Sequence, residues 1–270
     1  MRRQDRKEAD HDHLGWRRLF KAKMADARRW RNIISAIASL IEEASFTVSP
    51  TGIELRAMDP SRVAMVDFEM SKSSFDEYDC EAPTRLDVNL NEMLKFLRRI
   101  ESDEPIELSF DEKTARLNII LSGKYLRNFT IPTLEIAGEK VPTPKISFNA
   151  KARVTTYFLK NAINDAYTVS DHIRFEATSG KFVIRAAGDP GSVLIELDEG
   201  SEALLGLEVG DEANATFGLS YLNEIVGAAS TTSDIVTIEF STNMPVKLSF
   251  EMPHQEKLQY FVAPRIEGAE

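Results

Sequence analysis

ASFTVSPTGIELRAMD, residues 44–59, holds two short runs of alternating apolar and polar residues on either side of Pro-Thr-Gly. Alternation with a period of two, interrupted by turn residues, predicts a β-hairpin. A stretch of the same kind, SDHIRFEATSGKFVIRAAGD, occupies residues 170–189 and has Ser-Gly at its turn. Apolar residues at helical spacing precede each hairpin, from Trp30 to Ala44 and from Val154 to Ala166. The pattern indicates that the chain contains an internal repeat.

The same order of elements continues in both halves of the chain. A second apolar stripe of helical spacing covers Leu90–Ile100 in one half and Leu219–Ala229 in the other. Short strands follow each stripe, and equivalent pieces lie about 130 residues apart. Two helices and several short strands per copy predict an α+β fold, with the helices packed on one face of antiparallel sheets.

Composition predicts the boundaries of the two copies. Residues 1–19 are dense in charged residues and histidine, which predicts a flexible N-terminal extension, with an upstream translation start as the alternative. Residues 20–131 form the first predicted domain, and residues 148–270 form the second with a short C-terminal tail. Three prolines and a glycine in residues 132–147 are typical of an extended linker between domains.

Charge and cysteine content exclude several classes of protein. The 270 residues include 33 Lys and Arg against 43 Asp and Glu, a net charge of -10. This excludes a generally basic protein that coats nucleic acid, although it allows a local basic surface. A single cysteine, Cys80, excludes internal disulfides and thiolate zinc sites and fits a reducing cytoplasm. No apolar run approaches the roughly 18 residues of a membrane span.

Signatures of catalysis are missing from the sequence. It contains no phosphate-binding loop, no G-x-G-x-x-G fingerprint, no H-E-x-x-H zinc motif and no G-x-S-x-G nucleophile elbow. The histidines are scattered and form no ligand set. The sequence therefore predicts a protein without enzymatic activity, cofactor or metal. The alternative, a duplicated enzyme with its site between the repeats, would need a cluster of titratable groups, and the sequence offers none.

Basic residues concentrate on three of the four predicted helices, whereas the fourth carries none. They are Arg28, Arg29 and Arg31 on the first helix, Lys95, Arg98 and Arg99 on the second, and Lys160 with the flanking Lys151 and Arg153 on the third. A basic helical face on an acidic protein is expected where one surface alone meets a polyanion. The alternative is that these cations solvate exposed helix faces.

Four further motifs identify a known family. They are LRAMDPSRVAMV at 55–66, FGLSYL at 217–222, NMPV at 243–246 and LQYFVAPRIE at 258–267. In this order along a duplicated chain they resemble DNA sliding clamps, specifically the archaeal proliferating cell nuclear antigen. The similarity extends from Phe20 to about Glu267. It implies a ring of three chains that encircles duplex DNA and tethers replication and repair proteins, located in the cytoplasm with the nucleoid.

The resemblance also implies three sets of functional residues. The basic residues named above would line the inner surface of the ring and contact DNA phosphates without reading sequence. Neighbouring chains would pair through two edge strands, which would be aggregation hazards if left unpaired. The interface residues implied are Arg116, Leu117, Ile119 and Leu121 in one strand, and Val193, Ile195 and Leu197 in the other.

The third set implied is a pocket for short peptides with apolar and aromatic anchors. Its residues would be Met58, Arg62 and Val63, Val141 and Pro142 of the linker, Pro245, and Phe261, Ala263 and Pro264. The partners implied are DNA polymerase, the clamp loader, flap endonuclease and DNA ligase. The ring would contain either three copies of this chain or sister subunits, and a checkpoint-type clamp with other partners is a close alternative.

Overall fold

The computed structural model describes residues 18–101, 103–111, 114–137 and 141–266. Within these ranges each half of the chain contains nine strands and two α-helices in the same order. The predicted duplication and the α+β fold class are confirmed.

The first half contains, in chain order, β1 (Arg18–Met24), α1 (Ala27–Ala38), β2 (Glu43–Ser49), β3 (Gly52–Met58), β4 (Ala64–Ser71), β5 (Glu77–Cys80), β6 (Thr84–Asn89), α2 (Leu90–Leu97), β7 (Ile106–Asp111), β8 (Arg116–Ser122) and β9 (Leu126–Pro132). The second half contains β10 (Ala150–Thr155), α3 (Thr156–Tyr167), β11 (His172–Thr178), β12 (Lys181–Gly188), β13 (Gly191–Asp198), β14 (Leu204–Val209), β15 (Ala213–Gly218), α4 (Leu219–Ala229), β16 (Ile235–Phe240), β17 (Val246–Glu251) and β18 (Lys257–Val262).

The first helix is shorter than its apolar pattern predicts. It begins at the N-cap Asp26, whose carboxylate accepts the amide of Arg28 at 2.9 Å. It ends at Ala38, before Ile41 and Ala44. Ala44 belongs to β2, where its side chain faces the core as part of a strand alternation. The predicted extension of residues 1–19 is also too long, because β1 begins at Arg18; residues 1–17 lie outside the described part of the chain.

Three antiparallel sheets result from the strand pairings. The largest has nine strands in the order β14-β10-β16-β17-β18-β4-β3-β2-β6 and runs through both halves. Its central pair joins β18 of the second half to β4 of the first, with Tyr260 opposite Val66 and Val262 opposite Ala64. We call this pair the seam. The other sheets have the orders β5-β1-β7-β8-β9 and β13-β12-β11-β15.

The predicted edge strand of the first half is wrong. Strand β8, which contains Arg116, Leu117, Ile119 and Leu121, pairs with β7 on one side and β9 on the other. Its three apolar residues face the core and are buried. The edge is β9, the next strand along the chain. The predicted edge in the second half is correct, since β13 pairs only with β12 among the described strands.

Side chains from both halves meet under the seam. Tyr260 is fully buried, and its hydroxyl donates to the carbonyl oxygen of Ala36 in α1 at 2.7 Å. Burial raises the pKa of the Tyr260 phenol, so the group stays protonated and acts as a donor. Nearby, the hydroxyl of Tyr221 in α4 donates to the carboxylate of Asp59 at 2.9 Å. The two halves are therefore joined by one buried and one partly buried hydrogen bond as well as by the sheet.

Removing the Tyr260 hydroxyl tests this junction. We expect Tyr260→Phe to lower the free energy of unfolding by about 1 kcal/mol, because one buried hydrogen bond is removed while the ring still packs. Urea unfolding at fixed protein concentration measures the change. Tyr167→Phe is the matched control, since Tyr167 is 48% exposed, and it should change stability by less than about 0.5 kcal/mol. Equal stabilities of the two variants would contradict the role of the hydroxyl.

Candidate nucleic-acid interface and docking surface

The four helices form a row along one side of the molecule. Helix α1 contacts both α2 and α4, and α4 contacts α3, which gives the order α2-α1-α4-α3. Each helix buries its apolar side in the common core and leaves its polar side exposed. We call the exposed side of this row the helical face.

Helix α2 and the turn after it supply three exposed cations to the helical face. Lys95, Arg98 and Arg99 are all exposed, at the end of α2 and in the turn after it. Lys95 pairs with Glu92 one turn earlier. Surface pairs of this kind stabilise little, so all three cations remain accessible to an anion.

The three arginines of α1 differ in their surroundings. Arg28 is exposed and pairs with Asp26 and Asp103, and its hydrogen bond lowers the pKa of the Asp26 carboxyl below its ordinary value. Arg31 is half-buried and donates to the side-chain oxygen of Asn32 at 3.2 Å. Both lie beside a cavity of about 340 Å³ at the start of α1.

Arg29 has a structural role instead. Its guanidinium pairs with the fully buried carboxylate of Glu256, in the segment between β17 and β18, and donates to the carbonyl oxygen of Ser74 at 3.3 Å. Removing one partner of such a buried pair would leave an uncompensated charge. The structure therefore argues against the predicted contact between Arg29 and DNA.

Lys151 and Arg153 are not on a helix, and this part of the prediction is wrong. Both lie on β10, where Ala150, Ala152 and Val154 face the core and the two cations project from the opposite side of the sheet. Lys151 pairs with Glu208 at 3.0 Å, and Arg153 forms two hydrogen bonds with Glu251. The bond from Arg153 lowers the pKa of Glu251. Sequence spacing placed these residues next to α3 but could not show that the strand ends only at Thr155.

Lys160 is the one cation of α3, and α4 has none. The ammonium of Lys160 donates to the hydroxyl of Ser230, just after α4, at 3.3 Å. The helical face is therefore basic over α1 and α2 and nearly neutral over α3 and α4.

The opposite side of the seam carries a short apolar row. Met58, Met65 and Phe261 lie opposite one another on β3, β4 and β18 and point away from the helices. Met58 is 39% exposed and Phe261 is half-buried. Met65 was not among the predicted residues, although its place in the alternating sequence Ala64–Met70 gives it the same orientation.

A tight turn places other predicted pocket residues at the end of this row. The buried carboxylate of Asp59 accepts the amides of Ser61, Val63 and Ala64, and Arg62 takes a left-handed conformation with φ 58°. The amide of Ala263 donates to the carbonyl oxygen of Val63 at 2.9 Å, which brings the C-terminal segment beside the turn. Two prolines, Pro245 and Pro264, are half-buried near the ends of β17 and β18.

Residues 134–137 and 141–143 of the segment between the halves lie on the outer side of the nine-stranded sheet. The segment is held at one end by Asp87, which accepts the amide of Ile136 at 3.0 Å, and further along by Arg56, which donates to the hydroxyl of Thr143 at 2.8 Å. Burial alone would raise the pKa of Asp87, but its hydrogen bonds and the charge of Arg85 lower it. Val141 lines a cavity of about 330 Å³ under this segment, and Pro142 is exposed.

The free edges β9 and β13 each expose leucine. Leu126 of β9 is 70% exposed and Leu194 of β13 is 54% exposed. The predicted interface residues Val193, Ile195 and Leu197 lie on β13 and face its core side, whereas Leu194 faces outward and was missed. Helix α2 contacts β9 and α3 contacts β13, so each end of the helical row lies over one free edge.

The described residues offer little for catalysis. Burial raises the pKa of the Cys80 thiol, and nearby Asp79 adds to the effect, so the thiol stays protonated. Within the ranges that the structure covers, no three His, Cys, Asp or Glu residues are grouped to hold a metal ion. No helix in those ranges has the length and apolar character of a membrane span.

Comparisons with known proteins agree with this arrangement. The family described as "Proliferating cell nuclear antigen, N-terminal domain" matches residues 19–136, and "Proliferating cell nuclear antigen, C-terminal domain" matches residues 143–265. The DNA polymerase sliding clamp 1 of Pyrobaculum aerophilum is 40% identical over 242 residues, which cover 90% of this chain and 96% of that protein. The DNA polymerase sliding clamp of Thermofilum pendens is 35% identical, over 92% of this chain and all of that protein.

Solved structures show the same similarity. The PCNA of Thermococcus kodakaraensis superposes with a TM-score of 0.86 at 28% identity, covering 91% of this chain and 100% of that one. A chain of the PCNA2-PCNA3 complex from Sulfolobus tokodaii gives a TM-score of 0.84 at 28% identity, covering 91% and 99%.

Proposed function

Because this chain belongs to the proliferating cell nuclear antigen family, we propose that its copies close head to tail into a ring of three around duplex DNA. The protein is a DNA polymerase sliding clamp, and it confers processivity by tethering the polymerase to its template. The observation that carries the proposal is the pair of free edges, β9 and β13, at the two ends of one helical row. With its bounds adjusted to β1 and β9, the first domain is 18–132, and the linker 133–147 joins it to the second, 148–270; the protein catalyses no reaction of its own.

The seam inside the chain supports a specific pairing between chains. In the order of elements, β9 is the counterpart of β18, and β13 is the counterpart of β4. Strands β18 and β4 pair within the chain, whereas their counterparts β9 and β13 lie at the edges of two different sheets and do not pair with each other. A head-to-tail contact that repeats the seam pairs β9 of one chain with β13 of the next and closes after three steps. The helical row then continues from α2 of one chain to α3 of its neighbour.

Exposed leucines on the two edges test this pairing. We expect L126D/L194D to reduce the solution mass from three chains to one, because the substitutions replace apolar side chains at both joined edges with carboxylates on the same face of the contact. Light scattering over a dilution series measures the mass. L205D is the matched control, since Leu205 is 41% exposed on β14, which the contact does not involve. A variant mass that stays at three chains would contradict the pairing, and a monomeric parent would favour a ring built with sister subunits.

Inside the ring, cations of the helical face contact the phosphates of the duplex. The proposed residues are Arg28, Arg31, Lys95, Arg98, Arg99 and Lys160. Phosphate contacts carry no sequence information, so the ring slides along DNA of any sequence. The acidic remainder of the molecule repels DNA, which confines the contact to this surface.

Charge reversal on α2 tests the inner surface. We expect R98E/R99E to weaken binding of a short duplex and to lower the slope of log K against log salt by about 0.9 for each phosphate that the variant no longer neutralises. Fluorescence anisotropy over a salt series measures both quantities. Lys151→Glu, on the opposite side of the sheet, should leave binding within about twofold. An R98E/R99E ring that binds like the parent would contradict the proposed surface.

The outer side of the seam docks partner proteins through short peptides. The apolar row of Met58, Met65 and Phe261 gives such a peptide its anchoring surface, between the linker and the C-terminal segment. Val63, Pro245, Ala263 and Pro264 lie around one end of the row, with Arg62 at the rim and Val141 and Pro142 on the linker side. The proposed partners are DNA polymerase, the clamp loader, flap endonuclease and DNA ligase.

Truncation of the aromatic anchor tests this docking surface. We expect Phe261→Ala to weaken a polymerase-derived docking peptide at least tenfold, because the ring supplies much of the apolar contact. Isothermal titration measures the affinity, and light scattering verifies that the trimer persists. Leu205→Ala removes an exposed apolar side chain elsewhere and should leave the affinity unchanged. Unaltered peptide binding by Phe261→Ala would remove this residue from the pocket.

A further inference from the structure

The exposed side of α3 presents a line of uncharged polar side chains. Tyr157, Asn161 and Asn164 are spaced at i, i+4 and i+7, so they lie on one side of the helix. All three are exposed, and Tyr157 is 77% exposed. The buried residues of α3 occupy the opposite side. We call these three residues the neutral stripe.

Helix α1 repeats most of this pattern 129 positions earlier. Its N-cap residue is 26 against 155 in α3, and positions 28, 32 and 35 match 157, 161 and 164, although 32 and 35 are half-buried and only 28 is exposed. Position 32 is asparagine, as is position 161, and position 35 is serine. The two helices therefore present amide and hydroxyl groups at equivalent places in the duplicated fold.

Donor groups of the neutral stripe are available to a ligand. In the range 141–266, no hydrogen bond engages the side chains of Tyr157, Asn161 or Asn164. The charges beside the stripe balance, with Lys160 on the side of α4 and Asp165 on the other. A large aromatic ring and two amides stand exposed on a surface with almost no net charge.

We propose that the neutral stripe binds the phosphates of duplex DNA through uncharged donors. This inference rests on the proposed function, because α3 is part of the helical face that lines the ring. Each asparagine amide offers two N–H donors and the tyrosine hydroxyl offers one. Asparagine and tyrosine are among the side chains that donate to phosphate oxygens.

Uncharged donors change how the contact responds to salt. A lysine or arginine that neutralises a phosphate releases counterions, so its contribution falls as salt rises. A neutral amide releases none, and its contribution stays nearly constant. The cations of α1 and α2, with Lys160, thus bind DNA in a salt-dependent way, and the neutral stripe of α3 adds a contact that salt scarcely weakens.

A salt series on the assembled ring tests this division. The variants are N161A/N164A, N161K/N164K, R98E/R99E and the control Asn149→Ala, and binding of a short duplex is measured by anisotropy. Asn149 is exposed, lies between the linker and β10, and should have no effect. Alanine favours helix more than asparagine does, so N161A/N164A retains α3, and light scattering verifies the ring.

We expect N161A/N164A to weaken binding by the same factor, about threefold to tenfold, at every salt concentration, with an unchanged salt slope. N161K/N164K should tighten binding at low salt and steepen the slope. If R98E/R99E weakens binding while N161A/N164A does not, the neutral stripe is overturned and the proposed inner surface stands. If neither variant changes binding, the inner surface itself is overturned, and this inference with it.

Discussion

Pairing of β18 with β4 is the interaction on which the rest of the structure depends. Taken alone, each half of the chain would have a sheet whose edge strand has unpaired backbone N–H and C=O groups. Such groups need a hydrogen-bond partner. The seam satisfies one edge from each half within the chain. It also sets α4 beside α1, which turns two pairs of helices into one row. Among the edge strands that remain in the described sheets, β9 and β13 lie under the two ends of that row, which is why the proposed contact between chains joins these two.

Acidic and basic residues are distributed so that cations of the helical face, the proposed DNA-binding surface, stay accessible. On the outer sheet surface, cations are neutralised locally, as Asp67 shows by pairing with both Arg56 and Lys257. On the helical face, the cations of α2 have at most one weak surface pair. A net charge of -10 is therefore compatible with DNA binding, because the attraction acts where the carboxylates are few or already paired.

Periodicity in the sequence is sufficient to predict the helices, the hairpins and the duplication, because these depend on neighbours along the chain. It does not identify the edge strand, since β8 and β9 both alternate and only pairing distinguishes an inner strand from an edge. Local periodicity also fails to predict the surroundings of Arg29. Its partner Glu256 lies 227 residues away, so no local pattern distinguishes it from the exposed Arg28 beside it. Lys151 and Arg153 were misplaced because the approach to α3 is a strand, whose alternation turns both cations away from the helices.

Alternate side chains of β18 point to opposite sides of the sheet, one toward the helices and the next toward the apolar row. Tyr260 points inward and holds α1 through the Ala36 carbonyl, while the next residue, Phe261, points outward into the apolar row. Consecutive residues of one strand therefore serve opposite faces: Tyr260 holds a helix of the helical face, and Phe261 is the proposed docking anchor. Because their side chains lie on opposite sides of the sheet, partners at the proposed docking surface could exchange without displacing any residue of the proposed DNA-binding surface. A clamp that changes partners while remaining on its template needs this separation.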